Sequence, residues 1–271
     1  MASYPELRGK TAIITGCGRL KGLGAAMAMR LAAEGCRIVV ADLDDSGEVS
    51  AEMRAVVSDI HALGTDAIAM CCDMRSEPDI RALVAAAVSR FGQLDILVNN
   101  AGVGDVMKPI LEMDVTEFDR VISVNLRGVW IASKFAAEAM IKRGNGGRIV
   151  NIASQAGKSG FPFASAYCAS KHGLIGLTRV CAIEWGKHQI NVNAICPNHV
   201  TTDLGAWQNE FFSQALGMSL EQYLAAMRNR IPLGRPGSPS DTANACAYLV
   251  SDQSVYTTGE AMNVSGGEEY H

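Results

Sequence analysis

Residues 11–24 of the chain, TAIITGCGRLKGLG, join a short apolar run to a glycine-rich turn, and an alanine-rich stretch follows. The apolar run Thr11–Thr15 predicts a buried strand, and the periodicity of Gly24–Glu34 predicts a helix. Glycines between a strand and a helix permit a tight turn, and they let the backbone approach a pyrophosphate at the helix N-terminus. This stretch therefore predicts a dinucleotide site; a tight turn without a ligand is the alternative.

Further short apolar runs follow along the chain, with helical stretches between them. Apolar residues occupy consecutive positions in these runs, so both faces of each strand are apolar. This is the pattern of a parallel sheet that helices cover on both faces. The predicted strands are Thr11–Thr15, Arg37–Ala41, Ala67–Cys71, Asp95–Asn99, Arg148–Ala153, Asn191–Ile195 and Ala261–Val264. We therefore predict an α/β fold with a doubly wound, seven-stranded parallel sheet, formed by residues 1–271 as a single domain.

One insertion, at about residues 198–236, contains no predicted strand. It holds two predicted helices, Leu204–Leu216 and a second helix that Ser219 opens. Ser219 and Gln222 have the spacing of a capping box. An insertion at the carboxyl end of a strand is typical of a substrate lid, and we predict a helical lid here.

Composition excludes several classes of function. The net charge is −4 and the basic residues are scattered, which argues against a nucleic acid or an anionic membrane surface as partner. No apolar run is long enough to span a membrane, and the N-terminus does not resemble a signal peptide. Eight cysteines without a C-x-x-C pair and five scattered histidines predict neither a disulfide scaffold nor a metal site. We expect a cytoplasmic protein with a small-molecule partner.

Asp42 follows the second predicted strand, where a carboxylate can accept hydrogen bonds from the adenosine ribose. The same carboxylate repels a 2′-phosphate, which favours NAD as the cofactor. Arg19 and Lys21 in the glycine turn favour NADP instead, because cations there could meet a 2′-phosphate. We expect NAD and keep NADP as the alternative.

Tyr167 and Lys171 are one helical turn apart and share a face of a predicted helix. A free phenol has a pKa near about 10, and a nearby ammonium lowers it towards the range of a useful base. Ser154, after the fifth predicted strand, can hold a substrate oxygen against the tyrosine. The pair alone is common on surface helices, but together with Ser154 it predicts a proton-transfer site.

In these ordered motifs the sequence resembles the short-chain dehydrogenase/reductase family over nearly its whole length. The motifs are the glycine turn, Asp42, Asp73, Asn99-Asn100-Ala101-Gly102, Asn125 in Val124-Asn125-Leu126, Ser154, Tyr167 with Lys171, Pro197 with Thr202, and Val264-Ser265-Gly266-Gly267. The resemblance implies a Rossmann fold, a nicotinamide cofactor, a small alcohol or carbonyl substrate and a homotetramer.

The resemblance also implies a role for each matching residue. Tyr167 would be the general acid/base, Ser154 would orient the substrate carbonyl, and Lys171 would bind the nicotinamide ribose. Asn125 would hold a water in a proton relay from Lys171. The implied cofactor-binding residues are Gly16, Gly18, Gly22, Leu23, Gly24, Asp42, Asp73, Met74, Asn100, Ala101, Gly102, Tyr167, Lys171, Pro197, Val200 and Thr202.

The sequence departs from the family pattern at three points. Gly16 and Gly22 enclose five residues instead of three, so either the turn carries an insertion or Gly18 takes the first role. Asn198 replaces the usual glycine after Pro197; asparagine tolerates the left-handed conformation that this turn needs, and the alternative is that its amide and His199 face the substrate. Ser265 stands where an aspartate is frequent, which we regard as neutral.

Amides and a histidine give the predicted substrate pocket more hydrogen-bonding groups than a steroid or acyl chain would need. The predicted substrate residues are Ser154, Gln155, Asn198, His199 and Trp207. The alternative for His199 is a partly exposed turn residue, and for Trp207 it is packing within the lid or on a neighbouring subunit. A sugar or polyol fits them best, and an anionic sugar held by Lys158 or Arg228 stays open. The leading hypothesis is an NAD-dependent dehydrogenase of such a hydroxyl. The alternatives are an NADPH-dependent carbonyl or 3-ketoacyl reductase and a non-catalytic nucleotide-binding regulator.

Overall fold

A parallel sheet of seven strands forms the centre of the computed structural model, which describes residues 4–44, 46–104 and 106–270. The strands are β1 (Thr11–Thr15), β2 (Arg37–Asp42), β3 (Ala67–Cys71), β4 (Ile96–Asn99), β5 (Gly147–Ile152), β6 (Ile190–Pro197) and β7 (Ala261–Val264). Their spatial order is β3-β2-β1-β4-β5-β6-β7. The chain reverses its direction of travel between β1 and β4, so a crevice opens at the carboxyl ends of these two strands. The predicted doubly wound fold is confirmed.

Helices cover both faces of the sheet. They are α1 (Leu23–Ala33), α2 (Ala51–Ala62), α3 (Glu77–Phe91), α4 (Val115–Ile122), α5 (Val129–Arg143), α6 (Ser165–Trp185), α7 (Asp203–Ala215), α8 (Leu220–Arg230) and α9 (Pro239–Val250). A π-helical segment, Ser123–Gly128, joins α4 to α5.

Successive strand residues contribute to two different hydrophobic cores because side chains alternate across a sheet. Ile14 of β1 packs in the core beneath α1 and α9, where Leu31 is also buried. Ile13 packs in the opposite core beneath α3 and α5, together with Leu83 and Phe135. Burial on both faces explains why the strands are continuously apolar in sequence.

Three strands extend beyond their predicted limits because their neighbours continue to pair with them. Asp42 pairs with Cys71 and becomes the last residue of β2. Pro197 pairs with Val264 at the end of β6, and Gly147 pairs with Ile190 at the start of β5. Asp42 is thus fixed by the sheet itself.

The predicted insertion forms two helices, α7 and α8, as expected from its sequence. The Thr202 hydroxyl caps α7 by accepting a hydrogen bond from the Gly205 amide at 3.2 Å. The predicted capping box is confirmed: Ser219 and Gln222 exchange hydrogen bonds of 3.0 and 3.2 Å at the start of α8. In the described part of the chain, no helix is long and apolar enough to cross a membrane.

Candidate active site

A cavity of about 530 Å³ lies at the carboxyl ends of β1, β2, β4, β5 and β6 and extends to α7 and α8. Most of the predicted site residues meet there. Those that line it are Gly16, Gly22, Leu23, Asp42, Asp73, Met74, Asn100, Ala101, Gly102, Ser154, Gln155, Tyr167, Lys171, Pro197, Asn198, His199, Val200 and Thr202. Gly18, Gly24, Asn125 and Trp207 lie outside the lining.

The glycine turn is held by one side chain, that of Asn100, which follows β4, the strand that pairs with β1. The Asn100 amide donates to the carbonyl oxygens of Thr15 and Gly16, at 2.9 and 3.0 Å. Gly16 has a φ of +75°, and a Cβ on Gly24 would lie 2.2 Å from the Gly16 oxygen. Both positions therefore require glycine, one for its backbone conformation and one for the close approach of helix α1.

Gly18 and Gly22 have different tasks in the longer turn. The Gly18 amide donates to the Asp42 carboxylate, and a Cβ on Gly18 would lie 2.6 Å from that carboxylate. The Gly22 amide donates to the Arg19 carbonyl at 2.9 Å, which closes the extra turn just before α1 begins. Gly16 thus keeps the left-handed position, and Gly18 supports Asp42.

Asp42 faces the cavity from the end of β2. Burial raises the pKa of this carboxyl, while hydrogen bonds from the Gly18 and Leu43 amides and the charge of Arg19 oppose the rise. Arg19 also lines the cavity. A carboxylate and a guanidinium therefore stand together at the position expected for the adenosine ribose.

Asp73 follows β3, at the position that the family resemblance gives to the adenine. The Arg75 guanidinium binds both of its carboxylate oxygens, with contacts from 2.7 to 3.0 Å. These hydrogen bonds lower the pKa of Asp73. Its carboxylate is thus engaged by the protein, and the buried Met74 supplies an apolar surface beside it.

Tyr167 lies in the first turn of α6, and Ser154 follows β5. Burial raises the pKa of the Tyr167 phenol, and the hydrogen bond with the Ser154 hydroxyl works against that rise. The Ser154 oxygen also accepts a hydrogen bond from the Ala156 amide at 3.1 Å, which orients the hydroxyl. The two side chains form a pair that can hold one substrate oxygen.

Lys171 is 4% exposed, and its Nζ donates to the Ile152 carbonyl at 2.7 Å. Nζ lies 5.6 Å from the centre of the Tyr167 ring. Burial lowers the pKa of Lys171 to about 8. In the protein alone the pKa of Tyr167 is raised, with burial as the largest cause, and the Lys171 ammonium is directed at the Ile152 carbonyl. That Lys171 tunes the phenol stays a prediction.

Asn125 is fully buried in the π-helical segment. Its Oδ1 accepts from the Val103 amide at 2.8 Å, and its Nδ2 donates to the Val103 carbonyl at 2.8 Å and to Ser170 Oγ at 3.2 Å. The amide therefore fixes the strand-end loop after Gly102. π-helical turns of this kind occur frequently at functional sites.

The turn after Pro197 differs from the prediction. The residue with positive φ is His199, at +44°, rather than Asn198. The backbone N–H of Asn198 still donates to the Val264 carbonyl at 3.3 Å. Pairing between the strands therefore continues through Asn198, and the turn begins one residue later.

Trp207 stacks on Phe211 with ring centres 6.0 Å apart and is 38% exposed. The side of α7 that faces the cavity carries Leu204, Gln208 and Phe212, which recur every four residues. That spacing is the sequence signal that would have excluded Trp207. Tyr223 of α8 completes this wall.

Sequence reasoning missed two carboxylates that approach the site from the C-terminal end. Glu269 is 8% exposed, and the Glu268 side chain is 13% exposed. Both contact side chains that line the cavity. Their position next to Gly266-Gly267 gives no local sign of this role.

In the described residues 4–44, 46–104 and 106–270, no three potential metal ligands cluster. All eight cysteines are free, and seven of them are buried.

The site is a set of strand ends that hold a dinucleotide-type glycine turn, a carboxylate at the ribose position and a tyrosine-serine pair. Such a fold and site define a nicotinamide-dependent oxidoreductase.

Comparison with known proteins agrees with this class of enzyme. A family model described as enoyl-(acyl carrier protein) reductase matches residues 16–269. The chain is 39% identical to the 2-dehydro-3-deoxy-D-gluconate 5-dehydrogenase of Escherichia coli over 262 residues, covering 97% of this chain and 96% of the relative. It is 37% identical to the galactitol 2-dehydrogenase of Agrobacterium fabrum over 262 residues, covering 97% and 98%.

A solved structure, that of a variant of the actinorhodin polyketide ketoreductase with NADPH, superposes with a TM-score of 0.89 at 36% identity, and all of both chains is covered. The chain belongs to the short-chain dehydrogenase/reductase family, and it is therefore an enzyme of the class that acts on hydroxyl groups with a nicotinamide cofactor.

Proposed function

We propose that this enzyme is an NAD-dependent dehydrogenase that oxidises a secondary hydroxyl of a sugar or polyol, with Tyr167 as general acid/base. The observation that carries the proposal is that Ser154, Tyr167 and Lys171 line the same cavity as Asp42 and the glycine turn. Proton transfer and hydride transfer need both sets of groups on one substrate carbon and one cofactor.

The residues present fit a nicotinamide dinucleotide. The turn leaves no room for a Cβ at Gly16 or Gly24, and Asp42 offers its carboxylate to the ribose. When bound, the cofactor supplies the hydride acceptor and a positively charged ring beside the phenol. The cavity-lining residues at the ends of β1 to β6 would hold it, while Gly18 and Gly24 support the turn from behind.

Tyr167 takes the proton of the substrate hydroxyl during oxidation and returns it during reduction. Ser154 donates a hydrogen bond to the substrate oxygen and keeps it next to the phenol. Lys171, whose pKa is about 8, binds the nicotinamide ribose as a cation and can pass a proton on near neutral pH. We propose that the second lone pair of Asn125 Oδ1 holds the water that continues this relay.

The choice of NAD rests on Asp42, whose charge repels a 2′-phosphate. Arg19 beside it favours the second candidate, an NADPH-dependent carbonyl or 3-ketoacyl reductase. The ketoreductase with NADPH among the solved structures supports that candidate too. We favour NAD because Asp42 is fixed by the sheet and by two backbone amides, whereas the Arg19 side chain lies on a surface turn.

The polar groups of the cavity support a sugar or polyol. Gln155, Asn198, His199, Gln208 and Asn209 all line it, and an acyl chain would leave their remaining donors and acceptors unpaired. Two of the relatives are named for a sugar acid and a polyol. Trp207, which lies outside the lining, has no part in this proposal.

The test is a screen of sugars, polyols, hydroxy acids and secondary alcohols with NAD⁺ and, separately, with NADP⁺, followed by the absorbance of the reduced cofactor. We expect the highest kcat/KM with a polyhydroxylated compound and NAD⁺. Higher kcat/KM with NADP⁺ contradicts the cofactor assignment. Reduction of ketoacyl compounds without polyol oxidation favours the second candidate.

We further propose that residues 1–271 act as a single domain in a cytoplasmic homotetramer. Eight free cysteines suit a reducing compartment. Helices α4, α5 and α6 expose apolar side chains that subunit contacts would cover, namely Phe118, Trp130, Val180 and Ile183. Light scattering coupled to size exclusion measures the assembly, and a monomer contradicts it.

A further inference from the structure

Glu269 of the C-terminal segment holds two side chains of the loop after β5. Its Oε2 accepts hydrogen bonds from Gln155 Nε2 at 3.0 Å and from Ser159 Oγ at 2.8 Å. Gln155 lines the cavity directly after Ser154. A buried carboxylate thus anchors the side-chain amide of the residue that follows Ser154.

Glu268 does the same for the loop that follows β6. Its Oε2 accepts from Asn198 Nδ2 at 2.7 Å and lies 3.3 Å from His199 Nε2. Its Oε1 accepts from Arg230 Nε of α8 at 3.1 Å. The two adjacent carboxylates therefore act on two loops, through Gln155 after β5 and through Asn198 with His199 after β6.

These contacts determine which atoms each side chain can offer to a substrate. A carboxylate accepts hydrogen bonds and donates none, so the NH₂ group of each amide must face its glutamate. Each amide gives one N–H to its glutamate, which leaves its carbonyl oxygen and one N–H for the cavity. Burial lowers the pKa of His199 and keeps the ring neutral near pH 7, so with Nε2 donating to Glu268 its Nδ1 is an acceptor as well.

Cations that could hold an anionic substrate are directed elsewhere. Lys158 Nζ donates to the Ala261 carbonyl at 2.7 Å, and Arg228 does not line the cavity. Arg230 is bound to Glu268. Among the described residues that line the cavity, Arg19 stands at the cofactor end and Lys171 lies beside Ile152.

We infer that Glu268 and Glu269 set the substrate end of the cavity as a group of hydrogen-bond acceptors, so that the enzyme selects a neutral polyol and rejects the corresponding sugar acid. The hydroxyls that flank the reacting carbon donate to Gln155 and Asn198. A carboxylate in their place meets these acceptor oxygens and cannot make the hydrogen bonds that a hydroxyl makes as a donor. The inference rests on the proposed function and names its substrate class more narrowly.

Matched pairs of equal chain length test it: galactitol with galactonate, and glucitol with gluconate. Turnover with NAD⁺ is measured for each, and so is binding to the enzyme–NAD⁺ complex by calorimetry. We expect the polyol of a pair to exceed the acid at least about tenfold in kcat/KM and in affinity, the cost of about one unpaired polar group.

Glu269→Gln and Glu268→Gln then test whether the two glutamates cause the preference for the polyol over the acid. A glutamine in either place can donate as well as accept, so the neighbouring amide can turn its NH₂ to the cavity. We expect KM for the polyol to rise about three- to tenfold with kcat little changed, and the preference over the acid to fall by a similar factor. Glu260→Gln, an exposed glutamate outside this cavity, is the matched control.

The outcomes separate the inference from the proposed function. A preference for the acid, or an unchanged preference in both variants, overturns the inference while sugar oxidation stands. Absence of both turnover and binding for all four compounds overturns the inference together with the proposed sugar or polyol substrate.

Discussion

The two ends of the cavity are built in different ways. The cofactor end consists of strand termini and backbone: Gly16, Asp42 and Asn100 are fixed by the sheet and by hydrogen bonds to main-chain atoms. The substrate end consists of side chains on loops and on helices α7 and α8, and two glutamates of the C-terminal segment hold Gln155 and Asn198 among them. The first end tolerates little change, whereas the second can be altered one hydrogen bond at a time.

Gly24→Ala tests the rigidity of the cofactor end and has the largest expected effect on cofactor affinity. The added Cβ would lie 2.2 Å from the Gly16 oxygen, so the turn must move. We expect NADH affinity to fall up to about a hundredfold, the equivalent of about 3 kcal/mol of overpacking. Fluorescence titration with NADH measures the change.

Gly176→Ala is the control for that variant. Gly176 lies within α6, and within one subunit no atom other than those of the helix's own backbone and its chain neighbours lies within 4 Å of the Cβ position. We expect an unchanged NADH affinity and a gain of about 0.5–1 kcal/mol in the free energy of unfolding. Equal NADH affinity in both variants would show that the close approach of α1 to Gly16 is not needed.

Asp42→Ala tests how the cofactor end selects NAD. Removal of the carboxylate deletes the hydrogen bonds to the ribose and the repulsion of a 2′-phosphate. We expect NADH affinity to fall about tenfold while NADPH affinity rises, because charged hydrogen bonds contribute about 1.5–3 kcal/mol. Titration with both cofactors checks this, with Asp59→Ala on the exposed face of α2 as control. An unaltered ratio of the two affinities contradicts the role of Asp42.

The pH dependence of cofactor binding tests Lys171, where the cofactor end of the cavity meets the substrate end. It has the smallest expected effect. Burial lowers the pKa of Lys171 to about 8, so the ammonium is charged below that pH and neutral above it. NADH affinity should therefore fall about threefold to tenfold as the pH rises through 8, since the charged hydrogen bond to the ribose is lost. Lys171→Met should bind NADH weakly with no such fall; the same slope in both proteins excludes Lys171 as its source.

The fold and the cofactor end can be predicted because their signals are local. Each strand is a continuous apolar run, and residues at the ends of parallel strands meet at one edge of the sheet. Asp42 and Ser154 can therefore be located from the ends of their own strands. The capping box of Ser219 and Gln222 spans four consecutive residues and is just as legible.

The substrate end depends on contacts between distant parts of the chain. Glu269 and Gln155 are 114 positions apart, and no sequence pattern near either residue predicts their hydrogen bond. The left-handed backbone falls on His199 instead of Asn198 because pairing with β7 continues one residue further than the motif suggests. The raised pKa of Tyr167 likewise reflects tertiary burial, which the spacing of Tyr167 and Lys171 cannot reveal.

The central claim is that Tyr167 carries the proton, and Tyr167→Phe tests it most directly. The measurement compares kcat for oxidation of the best substrate with NADH affinity in the same variant, and Tyr256→Phe, which alters a fully exposed phenol, is the control. We predict a loss of kcat of about a thousandfold with NADH affinity unchanged within about twofold, as expected for removal of a general acid/base. Turnover within about tenfold of the unmodified enzyme would contradict the claim, because general acid/base catalysis contributes at least about a hundredfold.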